Sequence, residues 1–185
     1  MQVYLRMLDK RPLATKSFTS GFLFSLGDVL TQVLFDRPAK KGTWKFESQR
    51  SVNMFIVGSM FAGPVLHRWY GFVLPRLVNA QPNPTRAQFV FNTGKGILLD
   101  QTIFATFFLT NFIFLNDALS GKSFQESADN LKELIMPTML TNWKIWPFLQ
   151  AINQTVMPMQ FRVLFVNFCG LFWNMYLSFV VYSAN

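Results

Sequence analysis

The chain has 185 residues, 51% of them hydrophobic and 17% aromatic, with 22 Phe, while charged residues make up only 14%, against roughly 25% in soluble domains. That composition excludes an ordinary soluble domain, and the length leaves no room for a separate soluble catalytic module beside a handful of membrane helices. The formal net charge is +8, and the single cysteine, Cys169, excludes an intrachain disulfide and a Cys-cluster metal site.

Basic residues gather at Arg6, Lys10, Arg11 and Lys16, and again at Arg37, Lys40, Lys41, Lys45 and Arg50, each set beside an apolar run. This placement favours anionic lipid headgroups over nucleic acid, and no nucleic-acid contact is expected. The N-terminus lacks the apolar core and small-residue cleavage site of a secretory signal, so an internal, uncleaved targeting signal is expected.

The first span is expected at 17–35, where helical spacing places Gly21, Ser25, Asp28 and Gln32 on one narrow stripe of an otherwise apolar surface. A basic loop from Asp36 to Gln49 follows. The second span, 52–66, interleaves two small pairs, Gly58 with Ala62 and Ser59 with Gly63, the pattern that lets helix backbones approach closely in lipid. After it, His67, Arg68, Trp69 and Tyr70 read as an interface belt, and Pro82 and Pro84 mark the clearest linker.

The third span, 96–115, holds Asp100 on a stripe with Thr93, Gly96 and Asn111, and a carboxylate there must face the bundle or water. Ser123 with Glu126 has the form of a capping box. The segment 131–160 contains Pro137, Pro147 and Pro158 and reads as a proline-broken, membrane-associated stretch. The last span, 163–182, aligns Asn167, Gly170, Asn174 and Ser178. The expected fold is thus an all-α transmembrane helix bundle, one integral membrane domain over 1–185 with four spans plus the broken segment. Lys and Arg divide about 8 to 9 between the two sides, which leaves sidedness open.

Soluble-enzyme motifs are missing: there is no Gly-rich phosphate loop, nucleophile elbow or His/Cys/carboxylate cluster at metal spacing. No catalytic activity, cofactor or metal is expected. His67, the only histidine, reads as a helix-end residue. Asp28 and Asp100 would form an acid/base dyad only if their spans met; buried acids more often pair with bases, and Arg162 and Lys95 are the partners at hand. Asp28, Gln32, Asp100, Gln101, Asn153 and Asn174 therefore have two readings, as hydrogen-bonding braces between helices or as the lining of a path for ions or small solutes.

The run Asn142, Trp143, Trp146, Pro147, Gln150 and Asn153, followed by Pro158, Arg162, Trp173, Asn174, Tyr176, Leu177 and Ser178, resembles the signature of the Mpv-seventeen and twenty-two-kilodalton peroxisomal membrane protein family. Gly27-Asp28 with Gln32, Gly63-Pro64 with His67 and Trp69-Tyr70, and Asp100-Gln101 with Phe104-Ala105 extend the likeness over nearly the whole chain, closest to the fungal mitochondrial Sym-one type. Two positions depart from the pattern. Thr106 stands where the family usually has proline, so a kink in the third span is expected to be missing, and Gln154 stands where an aromatic is usual. The resemblance implies a protein of the mitochondrial inner membrane, or alternatively the peroxisomal membrane. It further implies a weakly selective channel and roles in organelle homeostasis, stress metabolism, metabolite supply and mitochondrial DNA maintenance. The expected partners are the lipid bilayer and small solutes or ions, and a homo-oligomer is left open. Asp28, Asp100 and Arg162 would then form a charged interior braced by Gln32, Gln101, Asn153 and Asn174. A non-conducting scaffold that organises lipids or partner complexes is the other reading.

Overall fold

In a computed structural model, the structure describes residues 6–7, 9–39, 42–78, 85–157 and 162–183, leaving aside the side chains of 154, 155, 162–164 and 183. All regular structure among them is helical. Five long helices follow one another: α1, Pro12–Ala39; α2, 48–78; α3, Arg86–Leu119; α4, Phe124–Thr155; and α5, Arg162–Ser183.

Local chemistry explains most helix starts. Pro12 sits in the first turn of α1, where its missing N–H costs nothing. Thr85 with Gln88, and Ser123 with Glu126, each form a complete capping box opening α3 and α4. Between those two helices Gly121 takes φ +84, the left-handed conformation that favours glycine in a tight turn.

Each helix packs on the next in the chain and α5 returns to α1, closing a ring. A column of side chains fills its centre: Trp69 stacks on Phe104 at 4.8 Å between centroids, Phe104 meets Phe108 at 5.6 Å, and Phe112 meets Phe24 of α1 at 5.7 Å. Met54, Leu109 and Leu177 complete this core.

The expected small-residue contacts form. A Cβ on Gly58 would lie 2.8 Å from the Cα of Gly21, one on Gly27 would lie 2.8 Å from the Cβ of Asn174, and one on Gly63 would collide with the backbone of Ser17. Glycine there lets α1 approach α2 and α5 to backbone contact. The stripe on α5 holds only in its second half. Asn174 and Ser178 are buried, whereas a Cβ on Gly170 would meet nothing.

Three expectations change. First, among the described residues three helices, not four, are long and apolar enough to cross a membrane: α1, α3 and, within α5, Phe165–Tyr182. The segment 52–66 is part of the longer α2, but its 15 residues, Asn53 and Ser59 among them, fall short of the roughly 20 apolar residues that a span needs, and polar residues flank it on both sides. Second, the 131–160 segment is not broken where described: α4 runs unbroken through Pro137 and Pro147 to Thr155. A proline removes one helical hydrogen bond, and packing against neighbouring helices absorbs that cost. Pro158 lies outside the described residues.

Third, four π-helical turns widen the helices at Gln32–Asp36, Val57–Ala62, Trp69–Val73 and Asp100–Phe104. The first three each end two residues before a proline: Pro38, Pro64 and Pro75. The wider turn accommodates the ring and the missing donor, so the helix continues past residues that would otherwise end it. The fourth ends two residues before Thr106, the position where the resemblance places proline. The π turn that precedes the other three prolines is therefore present here without one. Thr106 Oγ1 instead donates to the carbonyl of Thr102 at 2.7 Å, the group that a proline at 106 would have left without its usual α-helical donor. The inserted residue also rotates everything after it by about 100°, which explains why Asn111 does not join Asp100 and bonds its own helix at Phe107 O.

Candidate functional site

The polar residues of the interior gather in two separate clusters. The first surrounds Asp28, which is fully buried. Gly27 lets α5 close over it, and the turn at Gln32–Asp36 brings Gln32 and Asp36 towards the start of α2. Asp28 Oδ1 accepts from Arg50 Nε at 2.5 Å and from Ser178 Oγ at 2.6 Å; Oδ2 accepts from Ser51 Oγ at 2.6 Å and Gln32 Nε2 at 2.8 Å. Arg50 also donates to Asp36 Oδ2 at 2.6 Å and to Ser178 Oγ at 2.8 Å, and its guanidinium lies 4.5 Å from the centre of the Tyr182 ring. Gln32 closes the cluster from outside, accepting from the Glu47 N–H at 2.8 Å and donating to the Glu47 carbonyl at 3.1 Å. Four donors saturate the carboxylate, and one cation is shared by two acids.

The second cluster surrounds Asp100, 5% exposed, in the widened turn of α3. Its Oδ1 accepts from Trp69 Nε1 at 2.9 Å and Tyr70 OH at 2.8 Å, and its Oδ2 from Gln150 Nε2 at 2.6 Å and Gln101 Nε2 at 3.3 Å. Among the described residues no cation reaches it. Gln101 is held in turn by Asn142 Nδ2 at 2.6 Å on its Oε1 and by Trp143 Nε1 at 2.9 Å on its backbone carbonyl. Beside this cluster, Gln150 Oε1 and Asn153 Oδ1 are buried acceptors with no partner.

These contacts account for most of the C-terminal signature. Asn142, Trp143 and Gln150 grip the widened turn of α3. Trp146 meets Trp173 edge-on at 6.0 Å, Trp173 lies against Tyr176 at 5.1 Å, and Tyr176 OH lies 3.0 Å from Thr141 Oγ1, joining α4 to α5. Ser178 completes the Asp28 cluster. Pro147 lies within α4, and Asn174 packs on Gly27. The side chains of Arg162 and Gln154 lie outside the described residues.

The structure therefore separates Asp28 and Asp100. They share no donor, so the acid/base dyad does not form. A buried ion pair does form. Of the two bases expected, Lys95 is exposed and the Arg162 side chain lies outside the described residues, while the partner of Asp28 is Arg50, which reads in sequence as the end of a basic loop. Its signal was the helical stripe Arg50, Asn53, Met54, Val57 and Gly58, all buried, which carries the interior face of α2 one turn before its apolar run. Trp69 and Tyr70, expected as interface anchors, are the donors to Asp100. His67 does sit at the surface, its Nδ1 3.3 Å from Lys16 Nζ.

The Mpv17 / PMP22 family profile matches residues 117–178, the stretch from the end of α3 through the signature to Ser178. Over its length the chain is 33% identical to Protein SYM1 of Saccharomyces cerevisiae, covering 97% of this chain and 88% of that protein. It is 34% identical to the mitochondrial inner membrane protein Mpv17 of Xenopus laevis, covering 96% and 94%, and 34% identical to peroxisomal membrane protein 2 of Bos taurus, covering 95% and 86%. No solved structure matches. Identity at this level across nearly all of both chains, together with the signature's place at the α3–α4–α5 contact, means that the chain belongs to the Mpv17 / PMP22 family.

Proposed function

We propose that this protein conducts ions or small solutes, with weak selectivity, across the mitochondrial inner membrane, and that the structure is its shut conformation. In this reading α1, α3 and α5 cross the membrane, and α2 packs among them with Arg50, Ser51 and Asn53 turned inward. The observation that carries the reading is the Asp100 cluster. A buried carboxylate held by neutral donors, beside two unpartnered acceptor oxygens on Gln150 and Asn153, is costly in a membrane bundle and suits contact with water or a passing cation. The aromatic column of Phe24, Phe108 and Phe112 would be the plug that conduction displaces. The name of the frog relative favours the mitochondrial location, while the bovine relative's name supports the peroxisomal alternative. Roles in mitochondrial homeostasis, stress metabolism and mitochondrial DNA maintenance would follow from metabolite supply. Self-association is compatible with this reading.

Purified protein in planar bilayers tests it. Reproducible unitary current is expected, with the cation-to-anion permeability ratio falling in Asp100→Asn. Silence across voltage and pH would sink the channel. The second reading, a non-conducting scaffold organising lipids or partner complexes, is favoured by the saturated Asp28 cluster and the filled centre, and it predicts that silence.

A further inference from the structure

The described residues before Pro12 are held against α1. Pro12 pushes the residue before it out of helical conformation, and Arg11 has φ −142 and ψ 66. The helical residues before that bend are tied back to α1 by Thr15, which is buried. Its hydroxyl lies 3.0 Å from the carbonyl of Met7 and 2.9 Å from that of Arg11. The bend leaves a groove of about 650 Å³ along the start of α1. Its lining is mostly apolar: Met7, Phe18 and Phe22 contribute to it together with the side chains of Arg6, Lys10 and Arg11, whose charged ends can reach the rim of such a groove while their stems line it. Phe18 and Phe22 stand one turn apart, 64% and 54% exposed, on a helix long and apolar enough to cross the membrane. Among the described residues no acid lines the groove.

We propose that this groove is a binding site for an anionic phospholipid carrying two phosphates, drawn from the surrounding bilayer. Three cations at one groove can meet two diester phosphates at once, where a phospholipid with a single diester phosphate offers one negative charge. The aromatic pair continues from the charged mouth along α1 in the direction that acyl chains run. The bend braced by Thr15 holds cations and aromatic floor in a fixed relation, so the site recognises a headgroup together with its chains. A soluble diphosphate would leave Phe18 and Phe22 uncovered. The site stands apart from both interior clusters and does not depend on whether the protein conducts.

The test is native mass spectrometry of the full chain in detergent, titrated with cardiolipin or with phosphatidylglycerol, which has one phosphate. Cardiolipin is expected to bind at least about fivefold more tightly. The variant Arg6→Gln/Lys10→Gln/Arg11→Gln should weaken cardiolipin binding on the order of 100-fold, from the contribution of each cation near an anionic headgroup. Arg37→Gln/Lys45→Gln, in the other basic cluster, should leave it within about twofold. Equal binding of the two lipids, an unchanged triple variant, or an equal loss in the control pair would each overturn the proposal. Photoactivatable cardiolipin on the unmodified protein gives an answer independent of any variant: labelling within residues 6–22 supports the site, and labelling elsewhere overturns it.

Discussion

Removal of Arg50 is the sharpest test of how the bundle is held together. Its guanidinium, in a residue 6% exposed, donates through three different nitrogens to Asp28, Asp36 and Ser178. Arg50→Met keeps much of the stem and removes the charge. Asp28 then stays fully buried with three neutral donors, and Asp36 loses its cation. Breaking a buried pair in this way costs about 3–5 kcal/mol. At about 2–4 °C per kcal/mol for a chain of this size, the midpoint falls on the order of 10 °C. Thermal unfolding of the purified protein in detergent reads this directly. Arg50→Lys should recover less than half of the loss, because an ammonium cannot reach three partners spread along a planar fork. Asp28→Leu/Arg50→Met should be more stable than Arg50→Met alone, since replacing both charges removes the desolvation cost as well as the attraction. A loss below about 1 kcal/mol in Arg50→Met would refute the assignment, because that is the range of exposed ion pairs.

Three further outcomes follow from the geometry. Thr106→Pro should cost well under the roughly 3 kcal/mol of an ordinary interior proline, because the widened turn before it matches those preceding Pro38, Pro64 and Pro75; thermal unfolding of the variant checks this, with Thr110→Pro as the comparison expected to pay in full. Gly58→Ala should destabilise by about 1–3 kcal/mol by forcing α1 off α2, whereas Gly170→Ala, facing open space, should be neutral or stabilising by up to about 1 kcal/mol, as urea unfolding of the pair would resolve. Hydrogen bonds from the Ser123 hydroxyl and N–H hold the Glu126 carboxyl below the ordinary glutamate range. Its contribution to the start of α4 is therefore present above that range and is lost as pH falls through the lowered value. Limited proteolysis at the α3–α4 turn should rise on acidification in the native chain but change less in Ser123→Ala.

The membrane class, the helical fold, the glycine contacts and both buried carboxylates were legible in the chain, because each depends on composition or on spacing along a single helix. Asp28 and Gln32 share a stripe at i and i+4, and Ser123 with Glu126 forms a box within one turn. What tertiary structure alone decided is which elements meet. Arg50 became the partner of Asp28 because α2 begins one turn before its apolar run, and Trp69, buried, and Tyr70, still 46% exposed, became donors to Asp100 because α2 packs beside the widened turn that holds it. Pro137 and Pro147 did not break α4, since neighbouring helices carry a cost that local propensity counts in full. Periodicity assumes a constant residue rotation, and each π turn resets that rotation. Sequence could therefore name the polar residues of the interior, while their grouping into one saturated cluster and one cluster without a cation among the described residues awaited the fold.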